Sequence, residues 1–481
     1  MSKCTIKRLI NYSHLYLCGH IDIKLSAKEF LSKTKYKWIK EVVNKDLYTN
    51  IRKEHPNTGL EKYSYTELCN MYYESFIDSL VSVDGRDTSA PYNETAHYIL
   101  NVEKECQLID KRLSIDSWTF KVLNLHIFFF PYSICLFAIE IEEAGVCNAN
   151  DLTIAHLCLR EVNSYMEMEI EKDKEDSKEN KAKQLRLNLN QLNYLDAIEP
   201  LFEFLPTPRE LDNKYSWLTH TGNKLKAFQI ILSDTTDSDF LFELATLSPI
   251  GCVKYESNNF SPSEEYYNKL INENSISIFR NWKALALFDT YTVLFDCKKD
   301  ISSESVNEIR ENANKVIFAW RNYYFRLIYI HSLYQKTMLF SVNKKFRSGD
   351  KTKECRHLLQ EMKVQEHWYA FSNISYNFLP QLIYESIDHG LEIGKERESL
   401  RKYIEQESER QDKLNEFKIG KLVLYITAIT ILSALYDGSS LIRELLFIQQ
   451  GNKYFIAIFC ILLIVISIGG FILYKRYKNL K

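Results

Sequence analysis

Four side chains toward the end of the sequence have types and spacing suited to handling ions. Thr427, Thr430, Ser433 and Asp437 follow one another at +3, +3 and +4, which on an α-helix confines them to about 120° of arc. The first three lie within LVLYITAITILSALY, Leu422 to Tyr436, a run with no charge. Hydroxyls topped by a carboxylate on one face of a membrane helix suit an aqueous pore wall. Copies around a symmetry axis would stack polar rings beneath an acidic ring that attracts cations. A plainer reading is equally open. The hydroxyls bond back to carbonyls one turn earlier, the stripe packs helices together, and Asp437-Gly438 ends the helix.

A second group of residues suits a small anionic, aromatic ligand. Asp234, in the acidic cluster DTTDSD, is placed to accept from a ribose hydroxyl or an amine, although Thr236 and Asp239 also fit a capping box ahead of FLFELATL. Arg160, one turn past His156 on an expected helix, and Arg280 with Trp282 in SIFRNWK supply the cations and the ring. Each alone fits a surface ion pair or a packing residue as well. Cys18-Gly-His20 and His156-Leu-Cys158 have no second ligand pair at zinc spacing and read as core packing. Phosphate-loop, dinucleotide, metalloprotease and nucleophile-elbow motifs are missing, so no catalytic residue and no metal ligand is assigned and the chain is not expected to be an enzyme.

The elements that hold these residues follow from composition and hydropathy. The 481 residues carry 61 basic against 63 acidic side chains, a balance that does not point to direct nucleic-acid binding. Mean hydropathy is −0.28, too low for a polytopic carrier, yet the average hides two apolar runs. Tyr454 to Tyr474 is free of charge and long enough to cross the hydrocarbon layer of about 30 Å. Leu422 to Tyr436, extended back to Ile419, gives a second span whose Lys421 snorkels to the interface. Two spans put Lys413, Lys418 and Lys421 on the same side as Lys475, Arg476, Lys478 and Lys481, and the positive-inside rule makes that side cytoplasmic. Both termini are therefore expected in the cytoplasm, with the hairpin in the inner membrane. The N-terminus lacks the apolar run of a signal peptide, and eleven scattered cysteines without a CxxC pair read as reduced thiols.

Proline divides the rest. Eight of the nine prolines lie at or before Pro262, and only Pro380 follows. The expected organisation is a mixed α/β cytoplasmic, ligand-sensing domain over 1–300, a long-helix stalk or funnel over 301–420, and a two-span transmembrane module with a basic tail over 421–481 (spans 419–436 and 454–474). In the first part, FKVLNLHIFFF (120–130) and ICLFAIEI (134–141) flank Pro131-Tyr132-Ser133 as a hairpin. Asp151 is expected to cap a helix, the charge run 171–183 to be a solvated linker, and 185–189, 227–232 and the stretch 276–295 to be strand-like. Ser261-Pro262 starts another helix. The second part is expected to hold one helix from Ser303 to Phe340 and another from Gln381 to Lys421, running directly into the first span. Gly390 and Gly394 are candidate bend points, and EQESERQDK (405–413) is polar on every face, as a solvated or vestibule-lining helix would be.

This order of a mixed cytoplasmic domain, a long helix feeding the first of two C-terminal spans, a short outer loop and the basic tail YKRYKNLK resembles the CorA family of divalent-cation transporters. The resemblance implies a homopentamer, the first span around the pore and the long helices forming a funnel. The family's Tyr-Gly-Met-Asn at the end of the first span is replaced by Tyr436-Asp437-Gly438-Ser439-Ser440, so magnesium selectivity is not implied. HIFFFPYSICLFAIEI and SIFRNWKALALFDTYTVLF look most like the divergent CorA-like effectors of type III CRISPR loci. That likeness implies a membrane ion channel of antiviral defence, gated by a nucleotide second messenger such as an S-adenosylmethionine-AMP conjugate. Arg160 and Asp234 are then the candidate contacts, by residue type. Two alternatives are a constitutive transporter with a divalent cation as permeant ion, and a membrane-anchored binding or signalling protein with a non-conducting hairpin.

Overall fold

Among the described residues, Leu9–Ile21, Trp118–Phe130 and Ile134–Asn148 are each extended over 13 to 15 consecutive residues, and these three strands are the spine of one large sheet. The computed structural model of the chain describes residues 8–21, 26–41, 49, 53, 95–160, 188, 189, 191–201, 203, 224–254, 261–296, 305–348, 357–364 and 373–445. The chain forms two compact units, Met1–Glu405 and Gln406–Lys481. The expected second span, the basic tail and the charge run 171–183 lie outside the described residues.

In the first unit the strands are β1 (Leu9–Ile21), β2 (Ile39–Lys40), β3 (Ala96–Ile109), β4 (Trp118–Phe130), β5 (Ile134–Asn148), β6 (Asn188–Leu189), β7 (Lys226–Ser233), β8 (Ser275–Ile276), β9 (Trp282–Ala286) and β10 (Thr290–Asp296). They form a single sheet in the order β2-β3-β4-β5-β1-β7-β10-β9-β8, with β6 added to β3. Every pairing is antiparallel except β7 with β10. That parallel pair needs a crossover, which α4 (Ser238–Thr246) and α5 (Glu264–Asn274) supply after α1 (Ala27–Lys33), α2 (Ala149–Leu159) and α3 (Gln191–Ile198).

Alternation along β1 sorts its side chains to two faces. Leu15, Leu17 and Ile21 join a core with α1 to α4, whereas Tyr12, Tyr16 and Cys18 join a core with α6 (Val306–Ala319), α7 (Arg326–Ser348) and α8 (Phe378–Gly390). Because Ile309, Ile317, Tyr334, Ile387 and Ile404 pack into the core that holds Tyr12 and Phe228, residue 300 is no boundary in packing. The expected stalk begins as the second layer of the sheet domain.

The 120–141 hairpin forms as expected. Tyr132 and Ser133 both have positive φ, 65° and 57°, the handedness that matches strand twist in a tight hairpin. Several expected boundaries move. Asn148, not Asp151, caps α2, its side chain accepting from Asn150 N, while Asp151 accepts from Ser114 N at 2.7 Å. Ser263, not Ser261, caps α5. Asp237 stands at the start of α4 without a side-chain cap bond, so no Thr236–Asp239 box forms; Asp239 accepts instead from the Tyr267 hydroxyl at 2.6 Å. The 276–295 stretch folds back on itself as β8, β9 and β10. The helix expected from Ser303 starts at a Ser305–Glu308 capping box and is interrupted by a π-helical turn, Trp320–Phe325.

The helix expected from Gln381 to Lys421 is broken. After α8 the chain passes through Glu392 in the left-handed region, φ 54°, and then forms α9 (Ile393–Leu445). Pro380 is accommodated in the first turn of α8.

In the second unit α9 carries an 18-residue window of mean hydropathy 1.8, none of it buried, long and apolar enough to cross a membrane. Leu422, Val423, Leu424, Tyr425, Ile426 and Ile429 are all exposed. Thr427 and Thr430 donate to the Val423 and Ile426 carbonyls at 2.8 and 2.9 Å. Asp437-Gly438 does not end the helix, which continues to Leu445.

Candidate ligand-binding site

The β9–β10 turn, Leu287-Phe288-Asp289, has Asp289 as its one usual turn residue and is closed by Leu287 N donating to Thr290 O at 2.8 Å. It leaves Phe288 48% exposed. Two adjoining cavities meet at that ring, one of about 830 Å³ and one of about 340 Å³. The larger falls within the range that small-molecule sites occupy, about 300–1,000 Å³.

Cations reach this turn from three elements. Lys226, the first residue of β7, is buried; its Nζ lies 3.7 Å from the Phe288 centroid and donates to Phe288 O at 2.7 Å and Asp289 Oδ1 at 2.9 Å. Lys336 of α7 lies 4.7 Å from the same centroid and donates to Leu391 O at 2.8 Å. Arg160, at the C-cap of α2, donates through Nε to Leu225 O at 2.9 Å and sits 3.6 Å from Asp289 Oδ2. Burial lowers the Lys226 ammonium from its ordinary value, against the opposing pull of Asp289. Burial alone would raise the Asp289 carboxyl, but Lys226 and Arg160 hold it below the usual carboxylate range.

The larger cavity is also lined by Tyr266, Lys269, Glu273, Asp388 and His389. Burial raises the Asp388 carboxyl. His389 Nδ1 donates to Asn274 Oδ1 at 2.9 Å. Both signs of charge beside an exposed aromatic ring suit a ligand that combines a flat ring with anionic and cationic groups.

Of the residues singled out in the sequence, Arg160 lines this cavity, while Asp234, Arg280 and Trp282 do not. Asp234 follows the far end of β7, about 25 Å along the strand, where its carboxylate accepts from Ser233 Oγ at 3.1 Å. Trp282 is fully buried against Phe279, Trp320 and Phe325, and exposed Arg280 precedes the opposite end of β9 from the turn. No protein-family model, curated protein or solved structure matches this chain. Lys226, Phe288, Lys336 and Lys395 were not singled out in the sequence. The one signal for them is a bulky aromatic beside an acid, Phe288-Asp289, in the middle of a strand-like run.

A second polar cluster lies inside the sheet face covered by α6 to α8. Glu140 accepts from His14 Nε2 at 2.8 Å, Tyr16 OH at 2.7 Å, Asn124 Nδ2 at 2.5 Å and His126 Nε2 at 3.1 Å. His126 Nδ1 faces His97 Nε2 at 3.0 Å, and His14 Nδ1 accepts from Arg321 of the π turn at 3.1 Å. Tyr12 OH donates to Glu142, which also takes Arg310 Nε at 2.5 Å. Among the described residues no group of histidine, cysteine and carboxylate side chains could hold a metal. The arrangement is a charge-balanced structural lock. On the other face His156 is buried between Glu143 (3.0 Å) and Gln229 (2.6 Å), consistent with packing and not with a zinc pair.

Burial lowers the imidazoles of His14, His126 and His331 from 6.5, the last to about 3 with help from Arg397. Groups held neutral in this way contribute stability that is complete above their unfolded value and is lost as pH falls toward the folded one. Unfolding free energy should drop between pH 7 and 5 by up to about 1.4 kcal/mol per pH unit for each such histidine. Glu140, whose hydrogen bonds from His126 and His14 outweigh burial and hold it well below 4.5, extends the loss to lower pH. Denaturant midpoints measured at pH 7.5, 6 and 5 check this; a midpoint that rises on acidification contradicts it.

Proposed function

We propose that the chain is a membrane effector in which a ligand at the Phe288 cavities controls an ion pathway built from copies of α9. The observation that supports this most directly is that a single helix serves both ends. Gly394, Lys395, Glu396 and Ser399 of α9 line the cavities, and the same helix carries the exposed apolar window. In this reading a rotation or shift at its first turn is passed on through the continuous helix Ile393–Leu445. The ligand chemistry fits a nucleotide second messenger of the S-adenosylmethionine-AMP type. Its ring would stack on Phe288, its phosphate would meet Lys226 and Arg160, and its cationic centre would find the carboxylates Asp388 and Glu273. In this reading the protein is an inner-membrane homo-oligomer, a homopentamer by its CorA-like order, with Thr427, Thr430, Ser433 and Asp437 toward the pore. It acts as an ion channel of antiviral defence.

Ion flux in liposomes containing the purified full chain tests it, with S-adenosylmethionine and AMP as probes. Flux that rises with a probe supports the reading, and a protein that never conducts defeats it. Asp437→Ala is expected to reduce cation over anion preference several-fold; unchanged selectivity would remove the acidic ring. One observation favours the anchored, non-conducting alternative: the Thr427 and Thr430 hydroxyls are already satisfied by carbonyls of their own helix. In that case residues 1–405 would bind the probes and retain the activity without the apolar segments.

A further inference from the structure

Three lysines, Lys226, Lys336 and Lys395, line the smaller cavity. Lys226 and Lys336 approach one phenyl ring from two different elements, at 3.7 and 4.7 Å, and like charges converging on a half-buried space are unfavourable unless an anion lies between or beside them. The chain supplies anions of its own. Glu396, on the first turn of α9, is paired with Lys336. Glu392, in the left-handed linker, takes Lys395 at 3.1 Å. Asp289 takes Lys226 at 2.9 Å.

Lys336 does a second job. Its Nζ donates to Leu391 O, the carbonyl at the break between α8 and α9. One ammonium therefore holds both the end of α8 and the start of α9. A second tie, Arg397 to Gln335 Oε1 at 2.6 Å, does not face the cavity lining and is independent of it.

We propose that the smaller cavity is a phosphate-type anion subsite that the chain keeps closed with its own Glu396 carboxylate. Resting on the reading of the Phe288 cavities as a ligand site, this assigns how that site is regulated. An incoming phosphate displaces Glu396 from Lys336 and joins Lys226 and Lys395, which have lost no other partner in the exchange. Freed of Lys336, the first turn of α9 keeps the Arg397 tie to Gln335 and the core packing of Ile393 but loses its charged tie to α7. The exchange is anion for anion at a lysine, with no bond made or broken covalently, so it is reversible and set by the anion concentration. Glu396 is thus a competitor in cis, and removing its charge should both open the site and loosen the helix start.

Two measurements on the full chain in detergent decide it, with inorganic pyrophosphate as probe. In Glu396→Gln the amide hydrogens of 391–400 should exchange faster than in the unaltered protein without any ligand. Pyrophosphate should bind about tenfold more tightly, the effect of one competing charge-assisted bond. Lys336→Gln should show the same faster exchange but weaker pyrophosphate binding, separating the latch from the site. Wild-type exchange and wild-type affinity in Glu396→Gln would overturn the proposal, as would pyrophosphate binding that is indifferent to both variants. Liposomes that never conduct, with the exchange and affinity changes present, would defeat the pore while the latch stands.

Discussion

Replacing Glu140 by alanine is expected to destabilise the sheet domain by about 3–5 kcal/mol, the cost of breaking a buried ion network from one side. The carboxylate is 3% exposed and accepts from four side chains, His14, Tyr16, Asn124 and His126. Alanine would strand all four donors inside the sheet face, where each unsatisfied group costs about 1–3 kcal/mol. It would also leave the buried guanidinium groups of Arg321 and Arg326 with less countercharge. These losses share partners and do not add in full. Glutamine is no remedy, because its amide would turn N–H groups toward donors. The comparison is Glu199→Ala, which removes an exposed pair with Lys35 and should cost far less. Denaturant unfolding of the purified protein in detergent, followed by tryptophan fluorescence, reads both; equal small losses would show that Glu140 locks nothing.

The location of that lock explains what could be read from the sequence. Strand signals in FKVLNLHIFFF and ICLFAIEI were strong because β-branched and aromatic residues crowd both faces of a covered sheet, and the hairpin between them formed where expected. Across three neighbouring strands, β1 carries Tyr12, His14 and Tyr16, β4 carries Asn124 and His126, and β5 carries Glu140 and Glu142, at every second residue. Period-two polar residues in fully buried strands point to a network on one face. Its completion by Arg321 was hidden, because only a π turn, which has no distinctive composition, turns Arg321 inward. The cavity was harder still. Residues 160, 226, 288, 336 and 395 are separated by 48 or more positions, and each is ordinary in its own segment. Arg160 and Asp234 were singled out by residue type alone, and they lie apart because no sequence pattern says which end of a strand lies beside the end of a distant helix. The apolar helix was legible because hydropathy needs no tertiary partner.

Gly390 and Gly394 are the two residues at which a single methyl group is expected to act with opposite sign. A Cβ on Gly390 would lie 2.5 Å from the Ala286 carbonyl oxygen and 2.6 Å from its carbon. Those are backbone atoms of β9 and cannot rotate away, so α8 must lift from the sheet. Overpacking of this kind costs about 1–3 kcal/mol, enough to outweigh the gain of up to about 1 kcal/mol from replacing glycine in a helix. At Gly394 the nearest atom to an added Cβ is Asp388 Oδ2, at 3.4 Å, an ordinary contact with a side chain that can move. Gly394→Ala should therefore be neutral or stabilise, while Gly390→Ala should lower the denaturant midpoint. The functional consequence follows the same geometry. Leu391, next to Gly390, offers the carbonyl that Lys336 holds, so lifting α8 withdraws the anchor from one wall of the smaller cavity. Gly390→Ala should weaken pyrophosphate binding, and Gly394→Ala should leave it within about twofold, a change of about 0.4 kcal/mol. If the two variants unfold at the same midpoint and bind the anion alike, the close approach of α8 to β9 does not set the position at which α9 begins.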